Sequence, residues 1–493
     1  MAVLYDLNHK EKMNKSVSIR AKACLLAACA CVAGCMTIRN ARDAQGEYEA
    51  LSRDDYAFSG TNRLDLTNYS LAQLVDFAMT NRPSIAHRAL ALEDARLALK
   101  QLRADAPLIS ETPWLSPKIS VSGDYSGVSE SAKFDELSLK TERSVGAAVN
   151  ISIPIYDFGR NDAKVRAGCE KVLDAELQLV DEGYTVFYEV CTAYFALLEE
   201  SALLAVAQSN ECEYAMHLKQ AEQRLDAGEA NQLDVSRSRL DLARSKEKVV
   251  IAALDLETAG ADFKRALGVD SSYGDWNDII KFPGDPLSFV MRGFPDTNFT
   301  VEEAFELART NSPTMRVCRS RLRAASADVD YAIADLMPEI SASVSLNWTD
   351  PAWYWHWGVS AVQSVFQGFR KTTAVDRAVV ALRQAAKDVD TAELELSLAL
   401  EKSVAARDTA LKSRETALVS LKEARDNLDL VNEQYKIGDA TQVEYTDAVS
   451  YYAEALGNCV IAFYLKQSAE AAIFSLVGIY PVYDEMKLME EHK

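Results

Sequence analysis

The side chains best able to hold a metal or attack a substrate are too scattered in this chain to do either. Its five histidines fall at positions 9, 87, 217, 356 and 492, so none has the short-range partner that a metal site needs. Cys169, Cys191, Cys212, Cys318 and Cys459 are solitary, lie in helical-looking sequence and lack C-x-x-C spacing. They read as small buried apolar residues rather than zinc ligands or a disulfide framework. No G-x-S-x-G, G-x-x-x-x-G-K-[ST] or G-x-G-x-x-G occurs, so a nucleophile elbow, a P-loop and a dinucleotide fold are all unsupported. Carboxylate pairs on acidic helices are too common to assign chemistry. No enzyme activity and no cofactor are expected, and no nucleotide site is recognised.

One cysteine sits in a different setting. Lys15, Arg20 and Lys22 precede a short apolar run, Ala23 to Val32, which ends in Val32-Ala33-Gly34-Cys35. A basic flank, an apolar stretch and small residues in that order make a secretory signal. The run is too short to cross the roughly 30 Å of hydrocarbon as a helix. Its last four residues resemble a bacterial lipobox, which implies cleavage before Cys35 and a lipid on its thiol. Met13-Asn14-Lys15 begins a tighter version of the same signal. Met36 stands where an Asp would retain many such lipoproteins at the inner membrane, which by resemblance favours the outer one.

Composition narrows the field. The 493 residues carry 53 Lys+Arg against 73 Asp+Glu, a net charge of −20, which argues against a nucleic-acid surface. A 48% hydrophobic content with mean hydropathy −0.12 supports a core but is too polar for a multi-helix membrane bundle.

The elements that must position any function come in two copies. Thr80-Asn81-Arg82-Pro83 is echoed by Thr310-Asn311-Ser312-Pro313, 230 positions later, while Tyr156, Arg160 and Gly228 correspond to Phe366, Arg370 and Gly438 at an offset of 210. The first copy therefore carries about 21 extra residues between Pro107 and Arg160. Between Pro154 and Pro283, and between Pro351 and Pro481, there are 128 and 129 residues without proline, enough for very long helices. Val165, Val172, Leu179 and Val186 repeat at seven, as do Val375, Leu382, Val389 and Leu396. That period is coiled-coil packing. The second series then takes an eight-residue step to Val404, before Leu411 and Leu418. A helix from Arg160 to about Asp226 would reach about 100 Å. Gly228 and Gly438 supply left-handed stops, so each marks a hairpin tip, with returning helices over about 233–267 and 444–476. Shorter helices are expected around 71–102 and 301–336.

Four segments alternate at period two. Ile119, Val121 and Tyr125 alternate with Ser120, Ser122 and Asp124, and Val145, Ala147, Val149, Ile151 and Ile153 alternate with small or polar neighbours. In the second copy Ile340, Ala342, Val344, Leu346 and Trp348 share one side, and Trp353, Trp355 and Trp357 share one side of the next strand. Strands of nine or ten residues with one apolar side and aromatics at an end are what a membrane β-barrel needs. The loop of the first β-hairpin is placed at about 127–143, so that most of the extra residues are loop. Four strands are too few to close a membrane barrel, since eight is about the smallest, so several chains must share one.

Two helical hairpins, two β-hairpins and a repeated Asn-x-Pro entry resemble the TolC-type outer-membrane efflux protein family, in its lipoprotein branch. The resemblance covers about residues 60–480 and rests on Asn81-Arg82-Pro83, Asn311-Ser312-Pro313, the junction Pro154-Ile155-Tyr156-Asp157-Phe158-Gly159-Arg160 and the two glycine tips. It implies a mainly α fold with a small membrane β part: a homotrimer with a shared twelve-stranded β-barrel in the outer membrane and a long coiled-coil α-barrel crossing the periplasm. The chain then divides into a signal (1–34), a lipid-anchored segment (35–65), a first repeat (66–269), an equatorial linker (270–298), a second repeat (299–480) and a tail (481–493).

At the tips the resemblance assigns residues. Glu444 and Asp447, one helical turn apart, fall where the family places its constricting carboxylates; Asp234 matches its first-hairpin acid, and Tyr435 a tyrosine that holds the tip closed. A ring of such carboxylates from three chains would attract cations and raise the pKa of some members. Where well-known members carry a clamping arginine this chain has Ala440, which puts that ion pair in doubt. Contact with a periplasmic adaptor, itself coupled to an inner-membrane pump, is expected around Gly228, Glu229, Gly438 and Asp439. Trp348, Trp353, Trp355 and Trp357 would form an aromatic girdle against outer-membrane lipid. The implied function is a passive export duct gated at its tips, and the alternative is a lipid-anchored coiled-coil scaffold without a pore.

Overall fold

The structure is a computed structural model that describes residues 70–110, 117–129, 141–228, 231–269, 294, 299–349 and 352–480. Cys35, Glu229 and all of the linker except Phe294 lie outside them, as do the signal and the tail.

Each copy begins with a pair of short helices, not the single helix expected. In the first, α1 (Leu71–Asn81) is followed by α2 (Pro83–Ala104); in the second, α5 (Val301–Asn311) is followed by α6 (Pro313–Ala334). The break is set by proline. Arg82 and Ser312 are extended at ψ 128 and 123, the conformation that a following proline ring imposes, and each proline takes the first position of the next helix, where its missing N–H is not needed. Ser70 and Thr300 start α1 and α5 with capping boxes closed by Gln73 and Glu303.

The long elements match the heptad reading. α3 (Arg160–Asp226) has 67 residues and α7 (Arg370–Ile437) has 68; α4 (Gln232–Leu267) and α8 (Gln442–Val477) return beside them with 36 each. Along α7 the residues at the seven-residue spacing are buried or half-buried through Leu411, and Leu418 is exposed. α3 packs against α4, α2, α6 and α8, and α7 against α8 and α6. α3 and α8 each contain an 18-residue stretch apolar enough to cross a bilayer, but two thirds of the one in α8 is buried inside the protein. The apolar side chains of both helices build the main core, where Val186, Val190 and Phe195 meet Val460, Tyr464 and Phe474, together with Leu74 of α1 and Phe263 of α4. Burial of each such side chain is worth about 1.5–3 kcal/mol.

The returning helices end against the proline breaks. Gly268 and Gly478, at φ +72° and +73°, close α4 and α8. A Cβ on Gly478 would lie 3.0 Å from the Asn311 carbonyl oxygen, and one on Gly268 would lie 3.2 Å from the Arg82 Cα. The repeated Asn-x-Pro is thus one half of a close backbone contact, and the glycine is the other half.

The four strands form one antiparallel sheet in the order β1-β2-β3-β4: β1 (Lys118–Ser129), β2 (Thr141–Tyr156), β3 (Glu339–Thr349) and β4 (Ala352–Val362). Strand extends further into the first hairpin than the expected 127–143 loop, leaving 130–140 as the connection, outside the described residues. β1 and β2 have 12 and 16 residues against 11 and 11 for β3 and β4, so part of the extra length of the first copy is ladder. The register aligns apolar rows across all four strands. Ile119, Ile151, Val344 and Trp357 are successive partners, and so are Val121, Val149, Leu346 and Trp355. The alternate row is polar: Ser120, Asn150, Ser345 and His356. Directly paired residues share a face, so one side of the sheet is apolar from edge to edge.

Each β-hairpin hands over to a long helix through two consecutive left-handed residues, Phe158-Gly159 and Gly368-Phe369. Two phenylalanines in that region are costly for the backbone, and Arg160 and Lys371 anchor the junction by ion pairs with Asp335 and Glu339. Among the described cysteines all five are free; Cys191 and Cys459 are buried as expected, whereas Cys169 and Cys212 are exposed and Cys318 is half-buried. Their helices turn those positions outward, which seven-residue periodicity at other positions did not reveal.

Candidate functional site at the hairpin tips

The ends of α3 and α7 come together with the starts of α4 and α8. Gly228 has φ 76°, and Gly438, at φ 83°, ends α7. Behind Gly438 the Asp439 and Ala440 amides both donate to the Gln434 carbonyl, at 2.9 and 3.3 Å. Gly228, Gly438 and Asp439 are all exposed at this end.

Asp234 and Glu444 occupy the same place in the two copies, the third residue of the returning helix. The Asn231 amide donates to Asp234 Oδ2 at 3.2 Å, and the Thr441 amide donates to Glu444 Oε2 at 2.7 Å. Thr441 Oγ1 in turn accepts from the Glu444 amide at 3.3 Å. These are capping boxes that satisfy otherwise orphaned donors at the helix start. Within the protomer the Thr441 backbone and hydroxyl therefore hold the Glu444 carboxyl below the usual carboxylate range, the reverse of the rise expected from a crowded carboxylate ring. Glu444 and Asp447 are exposed, one turn apart, and Asp234 is half-buried.

Tyr435 is buried, in a cluster with Tyr214, Tyr445 and Val449, against which Ala440 packs. Its ring stacks on Tyr445 with centroids 5.1 Å apart. Ala440 thus contributes packing where a charged clamp was looked for. The cation comes from the other hairpin: Arg224, in the last turn of α3, donates through Nη2 to the Tyr435 carbonyl at 2.7 Å, and its guanidinium lies 4.3 Å from the ring centroid. A guanidinium at a helix C-terminus meets both the last-turn carbonyls and the negative end of the dipole. Gln442 Nε2 donates to the Asp234 carbonyl at 2.9 Å and to Ser238 Oγ at 2.6 Å, which ties the start of α8 to α4. Tyr214 of α3 reaches Ser450 Oγ of α8 at 3.1 Å. Sequence reasoning missed Arg224, Gln442 and His217; the seven-residue spacing of His217 and Arg224, which puts them on one helix face, was the available signal.

At the other end of the chain's elements, Trp353, Trp355 and Trp357 are exposed on one face of β4, and Trp348 contacts Trp353 with ring centroids 6.2 Å apart. Only the Trp348–Trp353 pair lies next to the hairpin turn; Trp357, opposite Val344, is mid-strand. The three indoles therefore run along the strand instead of sharing one level. Among the described residues no group of three or more potential ligands could hold a metal ion.

Comparison with known proteins agrees with this architecture. The family described as outer membrane efflux protein matches residues 74–269 and again 304–479, one match per copy. No curated protein sequence matches the chain. Among solved structures the chain is similar to CusC, with 16% identity over 87% of this chain and 96% of that one and a TM-score of 0.72. It is also similar to the CmeC outer membrane channel of Campylobacter jejuni (15% identity, 89% and 96% covered, TM-score 0.69). A third is the MtrE outer membrane channel of Neisseria gonorrhoeae, solved in its open state (17% identity, 87% and 94% covered, TM-score 0.66). With a duplicated helical-hairpin and β-hairpin unit, and with both copies matched, this chain belongs to the outer membrane efflux protein family.

Proposed function

We propose that the chain is the passive outer-membrane duct of a tripartite export system. The observation that carries this reading is the sheet, whose apolar rows run from one unpaired edge, β1, to the other, β4. Lipid tolerates no open edge, and four strands are too few to close a barrel. Three copies joined β4 to β1 would close twelve strands, with the apolar rows toward lipid and the serine-rich rows toward a wet lumen. Trp348 and Trp353 would then sit at headgroup level and Trp355 and Trp357 deeper. The helical hairpins would extend the lumen through the periplasm.

In this reading the tips are the gate. Tyr435 and Arg224 hold the two hairpins of a protomer together, while Asp234, Glu444 and Asp447 set the charge of the opening. Gly228, Gly438 and Asp439 form the rim that a periplasmic adaptor grips, and an inner-membrane pump supplies the energy. A lipid on Cys35 adds a second anchor. Purified oligomer in planar bilayers tests the duct: discrete conductance steps are expected, with larger steps when Glu444 and Asp447 are both neutralised. An oligomer that conducts in neither form would leave a scaffold without a pore as the better description.

A further inference from the structure

Among the described residues, His217 is the one fully buried titratable ring at the tips that the proposed gate leaves without a role. It is 1% exposed, and neither Nδ1 nor Nε2 has a hydrogen-bond partner. Aromatic rings from two other helices pack against it: Tyr435 of α7 edge-on, with centroids 5.3 Å apart, and Tyr445 of α8 tilted, at 4.8 Å. An imidazole in such a place costs unsatisfied polar atoms, so a core residue of the same size would pack there at lower cost.

The surrounding charges make the cationic form worse. Burial, and then the Arg224 guanidinium one heptad further along α3, push the His217 imidazole down to about 4. The other groups at this level do not offset this. Tyr435, Tyr445 and Tyr214 are neutral, with burial raising each phenol further. Asp234 acts on Tyr435, Glu213 on Tyr445, and Asp241 and Asp447 on Tyr214, while Arg239 of α4 is paired with Glu222. No carboxylate stabilises an imidazolium at this site among the described residues.

We propose that His217 makes the closed tip an acid-released latch, holding α3 to α7 and α8 while its ring is neutral and letting them part when it takes a proton. Once hydrated in a parted tip the ring returns to an ordinary histidine, near 6.5. Its value in the closed tip is depressed, so its contribution to closure is complete above about 6.5, falls as the pH drops toward about 4, and is fully lost below that. Each pH unit in that window weakens closure by up to about tenfold per protomer. A periplasmic tip exposed to external acid would then loosen.

The latch's role in gating rests on the duct proposed above, whereas the acid-released helix contact does not, so the test has two readouts. Conductance of wild type and H217F is recorded in planar bilayers from pH 7.5 to 4.5, and hydrogen exchange of residues 210–228 and 428–438 is compared between the two proteins at each pH. The expected result is that acid raises open probability, and lowers protection relative to intrinsic exchange, in wild type by tenfold or more, and much less in H217F. H217Q, neutral at every pH, should behave like H217F if the phenylalanine variant does not assemble. An equal acid response in wild type and in both variants would overturn the latch and assign the response to the carboxylates. No acid response in wild type would overturn it too. A protein that never conducts but loses tip protection in acid only when His217 is present would retain the latch and reject the duct.

Discussion

Asp234 and Glu444 are the same residue of the repeat, 210 positions apart, and each uses its carboxylate to accept the amide of the residue that caps its own helix. The two acids proposed for the gate at these positions are therefore also helix-start residues, and neutralising them would do two things at once. Asp447, one turn beyond Glu444, separates the effects. E444A should fray the first turn of α8, seen as faster hydrogen exchange at 441–446, and alter conductance; D447N should alter conductance alone. Because Thr441 holds the Glu444 carboxyl below the usual range, its charge survives mild acid and is lost only as the pH falls through that lowered value. Cation selectivity contributed by Glu444 should accordingly persist at pH 5.

The Arg224–Tyr435 contact crosses between hairpins, combining a charge-assisted hydrogen bond with a ring contact. Such a pair is worth about 1–3 kcal/mol. R224A should raise open probability in bilayers by roughly tenfold or more, with trimer yield unchanged. R224K, which keeps the cation but not the planar fork, should fall between the two. Equal open probability in R224A and wild type would remove Arg224 from the gate.

The long elements were legible because their signals are local. Val165 to Val186 and Val375 to Leu396 carry the seven-residue period within single helices, and the alternation of Ile340 to Trp348 lies within one strand. The tip chemistry was not legible in the same way. His217 and Arg224 look like solvent-facing residues of a polar helix until Tyr435 and Tyr445, more than 200 positions away, are laid over them. Tyr435 itself was reached by resemblance to a family, and so was the gate role proposed for Glu444. The split at Arg82-Pro83 was within reach, since a proline restricts its predecessor, but the apolar pattern continues across it and suggests one helix.

A buried ion pair lies against Phe294, the one described residue between 270 and 298. Lys466 and Glu470, one turn apart on α8, are 2% and 0% exposed and 3.3 Å apart. Lys466 also donates to the Phe294 carbonyl, and the Phe294 amide donates to Gln467 Oε1. K466M would leave the Glu470 charge buried without this partner, at a cost of about 3–5 kcal/mol. The double change K466M/E470L should recover much of that loss. Thermal unfolding of the purified oligomer would order the three proteins as wild type, double variant and single variant, and a single variant as stable as wild type would contradict the arrangement.

The lipid proposed for Cys35 would be separable from the proposed barrel if the sheet inserts on its own. C35S should abolish incorporation of labelled fatty acid while outer-membrane trimer remains, as read by fractionation. Loss of all outer-membrane trimer would mean that the strands alone do not anchor the protein.

Gly478 gives the sharpest test of the duplicated framework. Its φ of +73° disfavours any side chain, and a Cβ there would press on the Asn311 carbonyl oxygen at 3.0 Å and on the Pro313 ring at 3.2 Å. G478A should therefore cost about 1–3 kcal/mol. At Gly268 the equivalent Cβ would meet the Arg82 side chain at 3.0 Å, a group that can move, and the Arg82 Cα at 3.2 Å. G268A should thus be the milder of the two. The added methyl pushes on the proline break, so the damage should appear first as lost protection in α5 and α6 for G478A and in α1 and α2 for G268A. Hydrogen exchange that is unchanged in those short helices would show that the glycines do not set the seat of the returning helices.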